Sequence, residues 1–359
     1  MRVALLGAGA VALGNAALLS SRGHQVVVWS PTGNGAPIKV GHYSIEASGA
    51  IEGRIAVEVA TTAAEAMSGA NVVIVAVPAY AYKFVLDAAA PHIRSNQPVI
   101  VSGHLSFGAL YLAKRMAELG SATVPIAAFG TTVTTGRRTG VLTVNVKTVR
   151  SKLDMAALPA NRGEEMIELC QNLFGDRFVL RSNLLAVSLS NLNPLSHMAV
   201  ALCNFTRIER GERWDQDENL TDAVGRLIEA LDAERLAISD AAGVAVRTVR
   251  EHFHHSFQVP LNTVGAMSRE LSQRKRNVLG PTTLETRYIL EDVPFGLVPT
   301  ILLARAAGVS APLHEAGLKI FSALYGRDFH AANDILPALR LEELSIPQLM
   351  DLVVEGFSG

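Results

Sequence analysis

The stretch "LLGAGAVALGNAALL", Leu5 to Leu19, constrains the fold more than any other part of the chain. A short apolar run, Val3 to Leu6, ends at two glycines one residue apart and passes into a small, apolar helical segment. Gly7-Ala8-Gly9-Ala10-Val11-Ala12 therefore fits G-x-G-x-x-A in strand–turn–helix context. Gly7 permits the tight turn. Gly9 and Ala10 let the backbone approach a pyrophosphate at the positive helix start, and Ala12 is small enough for the helix to pack on the strand. A glycine-rich packing turn would show the same pattern without binding anything, but the position and the second apolar run, Val26 to Trp29, favour a dinucleotide site.

The first half goes on alternating short apolar runs with helical segments. Val57-Glu58-Val59, Val72 to Val77 (closed by Pro78), Val99 to Ser102 and Leu142 to Val146 read as strands. Ala63 to Met67 and Ala81 to Ala89 read as helices. Continuous rather than alternating β-branched runs are what a parallel sheet covered on both faces requires. The fold class is therefore α/β: a Rossmann-type, doubly wound, mainly parallel sheet. From Asn183 onward strand signals nearly vanish. Thr221 to Ala242 is an amphipathic helix with Thr221 placed to cap it and Gly243 after it, and Phe295 to Ala307 and Pro312 to Tyr325 are helices with Pro294 and Pro312 near their starts. The expected organisation is residues 1–180 as a dinucleotide-binding domain and 181–359 as an all-α domain.

The acidic residue that usually bonds a ribose 2′-hydroxyl would stand at or just after Trp29. Ser30, Pro31 and Thr32 stand there instead. Without a carboxylate a 2′-phosphate meets no repulsion, and the two hydroxyls can donate to it, so NADP(H) is expected over NAD(H). Val77 and Pro78 are expected beside the nicotinamide, at the carboxyl edge of the sheet.

Composition narrows the function classes. The formal net charge of −1 suggests neither a nucleic-acid surface nor a basic membrane face. No stretch reaches the roughly 18 apolar residues of a membrane span, and no signal peptide is recognisable, so a cytoplasmic protein is expected. Cys170 and Cys203 match no disulfide framework or zinc spacing and read as buried apolar groups. The histidines of "EHFHHSF" (His252, His254, His255) read as a polar helix end, with no metal expected, and the basic run at Arg269, Arg274, Lys275 and Arg276 reads as a solvated face.

Two stretches carry candidate chemistry. Asn193, His197 and Asn204 are four and seven residues apart, along one helical face. A buried histidine with local hydrogen bonds would look the same. Glu291 and Asp292 precede a helix and could cap it, or Asp292 could orient His197. Arg287 could bind a substrate carboxylate, or pair with Glu285 or Glu291.

At these residues the chain resembles the opine dehydrogenases of the octopine/nopaline type, whose helical domain is similar to that of 6-phosphogluconate dehydrogenase. The resemblance rests on the N-terminal fingerprint, "KTVRSKLDMAALPA", "SLSNLNPLSHMAVALCN", "LTDAVGRLIEALDAERLAISDAAGV", "RYILEDVPFGLVP" and "GVSAPLHEAGLKIFSALYGRDF". It implies reductive condensation: an amino acid and a 2-oxo acid form an imine, which the reduced nicotinamide converts to an N-(carboxyalkyl) amino acid. It carries the catalytic histidine onto His197 and its carboxylate partner onto Asp292. A carboxylate beside an imidazole fixes its tautomer and favours its protonated form, which suits acid and base work near neutral pH. Asn193, Asn204 and Arg287 are the candidates for substrate contact. The expected partners are the two small substrates, with no nucleic acid and no membrane, and a homodimer is compatible. Trp214 to Asn219, more acidic and less aromatic than the family pattern, and Gly103 to Gly108 depart from it; substrate side chains are expected to be selected in such places.

Two rivals share the first-half signals. A 2-oxo acid reductase similar to ketopantoate reductase would use a lysine in the helical domain, where this chain presents His197. A nucleotide-sensing protein that had lost its chemistry would have no use for both His197 and Asp292.

Overall fold

The computed structural model describes residues 1–32 and 39–357. The first half forms one eleven-stranded sheet: β1 (Arg2–Leu6), β2 (Gln25–Trp29), β3 (Gly41–Gly49), β4 (Gly53–Ala60), β5 (Val72–Val75), β6 (Val99–Val101), β7 (Ile126–Phe129), β8 (Thr134–Gly140), β9 (Thr143–Val149), β10 (Leu153–Leu158) and β11 (Phe178–Leu180). The strand order is β11-β10-β7-β6-β5-β1-β2-β4-β3-β9-β8. The run β7-β6-β5-β1-β2-β4 is parallel throughout. Direction reverses in the β3–β4, β8–β9 and β7–β10 pairs. The chain leaves β1 towards β2 and later returns to the other side of β1 as β5, which makes the β1/β5 junction the switch point where such sheets bind ligands.

The continuous apolar runs explain the central strands. β1, β5, β6 and β7 bury almost every residue, and the helix Ala10–Ser21 buries Ala12, Leu13, Ala16 and Ala17 against the sheet. The flanking strands are different. β3, "GHYSIEASG", alternates polar with apolar and buries chiefly Ile45 and Ala47.

The chain divides into two compact units, Met1–Ser188 with Leu349–Gly359, and Leu189–Gln348. This departs from the expected division after residue 180. The helix Leu184–Ser190 is apolar and falls mostly in the first unit, so composition does not mark the crossing. The last helix, Ile346–Glu355, brings the chain back to the first unit, which no local sequence signal announces.

The second unit is helical. The long helix Asp222–Ala241 buries Val224, Ile228, Leu231 and Ile238 on one stripe. Thr221 stands at its N-cap, yet its side chain makes no capping bond; Gly243 follows in the left-handed region. The expected helix from Phe295 to Ala307 is in two parts: a π-helical turn, Val293–Leu297, and an α-helix, Val298–Ala306. Among the described residues no helix is long and apolar enough to cross a membrane. Cys170 is buried as expected, whereas Cys203 is exposed at the end of its helix.

Candidate active site

In the first unit the glycine turn meets the physical demands of a dinucleotide site. Gly7 has φ +135°, and a Cβ there would lie 2.3 Å from the Ala76 carbonyl oxygen and 3.1 Å from Val77 Cγ1. Only glycine lets the turn approach the end of β5 this closely. Gly9 is the N-cap of the Ala10–Ser21 helix, no side chain caps it, and a Cβ there would meet nothing within 4 Å. Open space over uncapped helix amides fits an anionic pyrophosphate. Ala10 is half-buried at this start, and Ala12 is wholly buried. Pro78 is exposed beyond β5, while Ser30 and Thr32 follow β2, half-buried and exposed respectively.

His104, just after β6, was not singled out from the sequence. It is 1% exposed, its Nδ1 lies 3.3 Å from Ser188 Oγ, and its Nε2 has no partner among the described residues. Burial pushes its pKa down to about 4, so it is neutral near pH 7.

In the second unit the structure brings His197 and Asp292 together. His197 lies one turn into the helix Asn193–Cys203, and Asp292 joins the short helix Arg287–Leu290 to the π-helical turn. His197 Nδ1 lies 2.6 Å from Asp292 Oδ2. Asp292 makes no capping bond to the helix that follows, so its side chain serves the histidine instead. It is 1% exposed, and its Oδ1 has no hydrogen-bond partner among the described residues. The approach depends on Gly296, where a Cβ would sit 2.3 Å from Pro194 Cγ, one turn before the histidine. π-Turns of this kind recur at functional sites.

A third residue joins them. The Tyr288 ring stacks on the His197 ring, with centroids 3.6 Å apart and planes 7° from parallel. Its hydroxyl donates to Gln216 Oε1 at 2.7 Å. Burial, and then the Asp292 charge, push the Tyr288 pKa up to about 12 against the opposing pull of Arg287, so the phenol stays neutral. The signal for Tyr288 lay in "RYILEDVPFGLVP", where it stands one helical turn before Asp292.

The remaining candidates vary. Arg287 is half-exposed and pairs with Glu291 at 3.4 Å, one of the two internal pairings open at the sequence level. Asn193 opens the histidine helix and is half-buried. Asn204 does not continue the helical stripe. It lies beyond the helix end, buried, with its Nδ2 donating to the Val200 carbonyl. In the histidine-rich segment His254 Nδ1 faces the Val259 carbonyl and His252 Nε2 faces Ser256. Of the basic run, Arg269, Arg274 and Arg276 pair with Asp222, Glu270 and Asp217.

A parallel sheet with an uncapped glycine turn, and a helical unit holding a buried carboxylate–imidazole pair, define a nicotinamide-dependent oxidoreductase. Comparison with known proteins narrows the class. Residues 180–325 match the family model described as NAD/NADP octopine/nopaline dehydrogenase, alpha-helical domain, and residues 3–102 match that of ketopantoate reductase PanE/ApbA. An opine dehydrogenase from Arthrobacter sp. (strain 1C) is 33% identical over 284 residues, 78% of each chain. The chain belongs to the opine dehydrogenase family: it is an NAD(P)-dependent oxidoreductase acting on CH–NH groups, and its reaction is the reductive condensation of an amino acid with a 2-oxo acid. A structure of octopine dehydrogenase with NADH and L-arginine shares the fold at 16% identity and TM-score 0.78, covering 100% of this chain and 99% of that one. A structure of yersinopine dehydrogenase with NADP+ does so at 17% identity and TM-score 0.70, covering 95% and 97%. The residues that match the ketopantoate reductase model lie in the first unit.

Proposed function

We propose that His197 and Asp292 are the proton-transfer pair of this condensation. The observation that carries the reading is the 2.6 Å contact between His197 Nδ1 and a buried carboxylate oxygen. An ionised carboxylate can only accept, so Nδ1 holds the proton and Nε2 is the working nitrogen. Nε2 takes a proton from the substrate ammonium, which frees the amine to attack the oxo carbon. A proton of the adduct's ammonium passes to its alkoxide to give the carbinolamine, and the imidazolium, held by Asp292, then gives its proton to that hydroxyl, which departs as water and leaves an iminium. A reduced nicotinamide, when bound, supplies the hydride that the iminium carbon accepts. The product is a secondary amine, and every proton is accounted for.

Arg287 is the proposed anchor for a substrate carboxylate. Its 3.4 Å pairing with the buried Glu291 leaves the guanidinium itself about half exposed, so a substrate carboxylate can reach it. Asn193 is proposed to orient substrate. Asn204 reaches it only indirectly, because its amide already holds the helix end. Gly9 and Ala10 are proposed to receive the cofactor pyrophosphate, with Gly7 forming the turn and Ala12 packing the helix on the strand, and Val77 and Pro78 to border the nicotinamide. NADP(H) is proposed over NAD(H), supported by the absence of a carboxylate at Ser30-Pro31-Thr32. The relatives use both forms: octopine dehydrogenase is seen with NADH and yersinopine dehydrogenase with NADP+. A cytoplasmic location is proposed alongside, from cysteine usage.

The test is a matrix of amino acids and 2-oxo acids assayed with NADPH and with NADH. Oxidation of the reduced cofactor should require both substrates and should be more efficient with NADPH. Full turnover on the oxo acid alone would refute condensation, and tighter use of NADH would refute the cofactor preference.

A further inference from the structure

Asp292 fixes one degree of freedom of the His197 ring and leaves another. A hydrogen bond to Nδ1 sets the tautomer and the rotation within the ring plane, but the plane can still tilt about that bond. The parallel face of Tyr288, at 3.6 Å and 7°, opposes that tilt. A tyrosine ring can itself flip or slide, and here its hydroxyl is tied to Gln216 Oε1. Gln216 is fixed in turn. It opens the short helix Gln216–Asn219, capped by Asp215, and its backbone N–H donates to the Val278 carbonyl. This helix lies in the acidic Trp214-to-Asn219 stretch that departs from the family pattern.

We propose that Tyr288, anchored by Gln216, is a positioning residue that holds the His197 ring plane and so the direction in which Nε2 exchanges its proton. The proposal rests on His197 being the proton-transfer residue. It gives the Trp214-to-Asn219 stretch a second task, supporting the histidine from behind. It also explains why a phenol rather than a phenyl ring faces the imidazole: the ring supplies the stack and the hydroxyl locks the ring.

Four variants separate these tasks. Tyr288→Leu removes the stack and should lower kcat about thirtyfold to a hundredfold, the scale of a misplaced reacting group, with KM for both substrates nearly unchanged. Tyr288→Phe keeps the stack and loses only the anchor, so it should recover most of that loss and sit about threefold below the wild-type chain. Gln216→Ala should match it, and the Tyr288→Phe/Gln216→Ala double variant should be no worse than either alone, because both remove one bond. A second readout needs no substrate. In the cofactor-free protein the His197 Nδ1–H proton, assigned with His197→Gln, should give a downfield resonance. That resonance should broaden or vanish in Tyr288→Leu and persist in Tyr288→Phe.

Wild-type kcat in Tyr288→Leu, a loss carried wholly by KM, or an unaltered resonance would overturn the proposal. If Tyr288→Leu does not fold, the cycle decides: equal, non-additive losses support the proposal, and additive losses or none overturn it. If no substrate pair turns over in the wild-type chain, the reading of the reaction fails while the resonance still decides the role of Tyr288.

Discussion

The helical unit contains two carboxylate–imidazole pairs of nearly the same length. His197 Nδ1 lies 2.6 Å from Asp292, and His314 Nδ1 lies 2.7 Å from Glu234. Their surroundings differ. Glu234 also accepts the backbone N–H groups of Leu313 and His314, at 2.8 and 3.2 Å. Burial acts to raise its pKa, but these three hydrogen bonds prevail and hold it below the usual carboxylate range. The His314 side chain is only 2% exposed. This pair ties the long helix Asp222–Ala241 to the start of the helix Pro312–Tyr325, and its accepting capacity is used within the fold. At the other pair Asp292 keeps one oxygen unpartnered among the described residues, and the His197 side chain is 15% exposed. A short imidazole–carboxylate distance therefore does not by itself mark acid–base chemistry. What differs between the two pairs is the hydrogen-bonding capacity left over after folding.

Substitutions can test that contrast. The largest effect is expected at His197→Ala, which should lower kcat at least about a thousandfold while cofactor dissociation constants, read by fluorescence titration, stay close to wild type. Asp292→Asn should cost roughly a hundredfold to ten-thousandfold in the same assay, because an amide can donate to the ring and favours the wrong tautomer. Glu234→Ala should do the opposite. Its kcat should remain within about twofold of wild type, while urea unfolding shows a loss of about 2–4 kcal/mol from buried donors left unpaired. A Glu234→Ala protein of normal stability and lost turnover would erase the distinction between the pairs.

A smaller effect is expected at His104, a buried histidine in the first unit with no carboxylate partner. Its pKa is about 4 in the fold, against 6.5 for an ordinary histidine in the unfolded chain. The unfolded chain thus takes up a proton that the folded protein refuses. The stability contributed by neutral His104 is complete above pH 6.5 and is lost as pH falls towards 4. By about pH 5 the linkage amounts to roughly 2 kcal/mol. From about pH 7 to about pH 5 the wild-type chain should lose that amount of unfolding free energy relative to His104→Leu. Parallel curves would show that His104 is protonated within the fold.

The parts of the fold that were legible in the sequence are those where one physical requirement dominates. Val72 to Val75 and Val99 to Val101 read as strands because burial on both faces demands continuous apolar residues. β3 did not, because "GHYSIEASG" is largely polar and gains its structure from neighbouring strands. The helix after Thr221 was recognisable from its periodicity, yet its apparent cap makes no bond, since a residue type at the right place does not fix its rotamer. At the candidate site His197 and Asp292 could be named. Tyr288 and Gln216 could not, because their contacts join segments far apart in sequence and an aromatic at helical spacing reads equally well as core. His104 was hidden for the converse reason, since nothing local to "GHLSFG" tells that the ring is wholly buried.

The return of residues 349–357 to the first unit has a consequence for biosynthesis. A ribosome emits the nucleotide-binding fingerprint before the helical unit, and the segment from Leu349 that belongs with the fingerprint after it. Early domains commonly fold as they emerge. Here the first unit can gather its sheet early but gains the helix Ile346–Glu355 only after the helical unit has been made. A premature stop before Leu349 would thus injure the older half of the nascent chain and spare the younger.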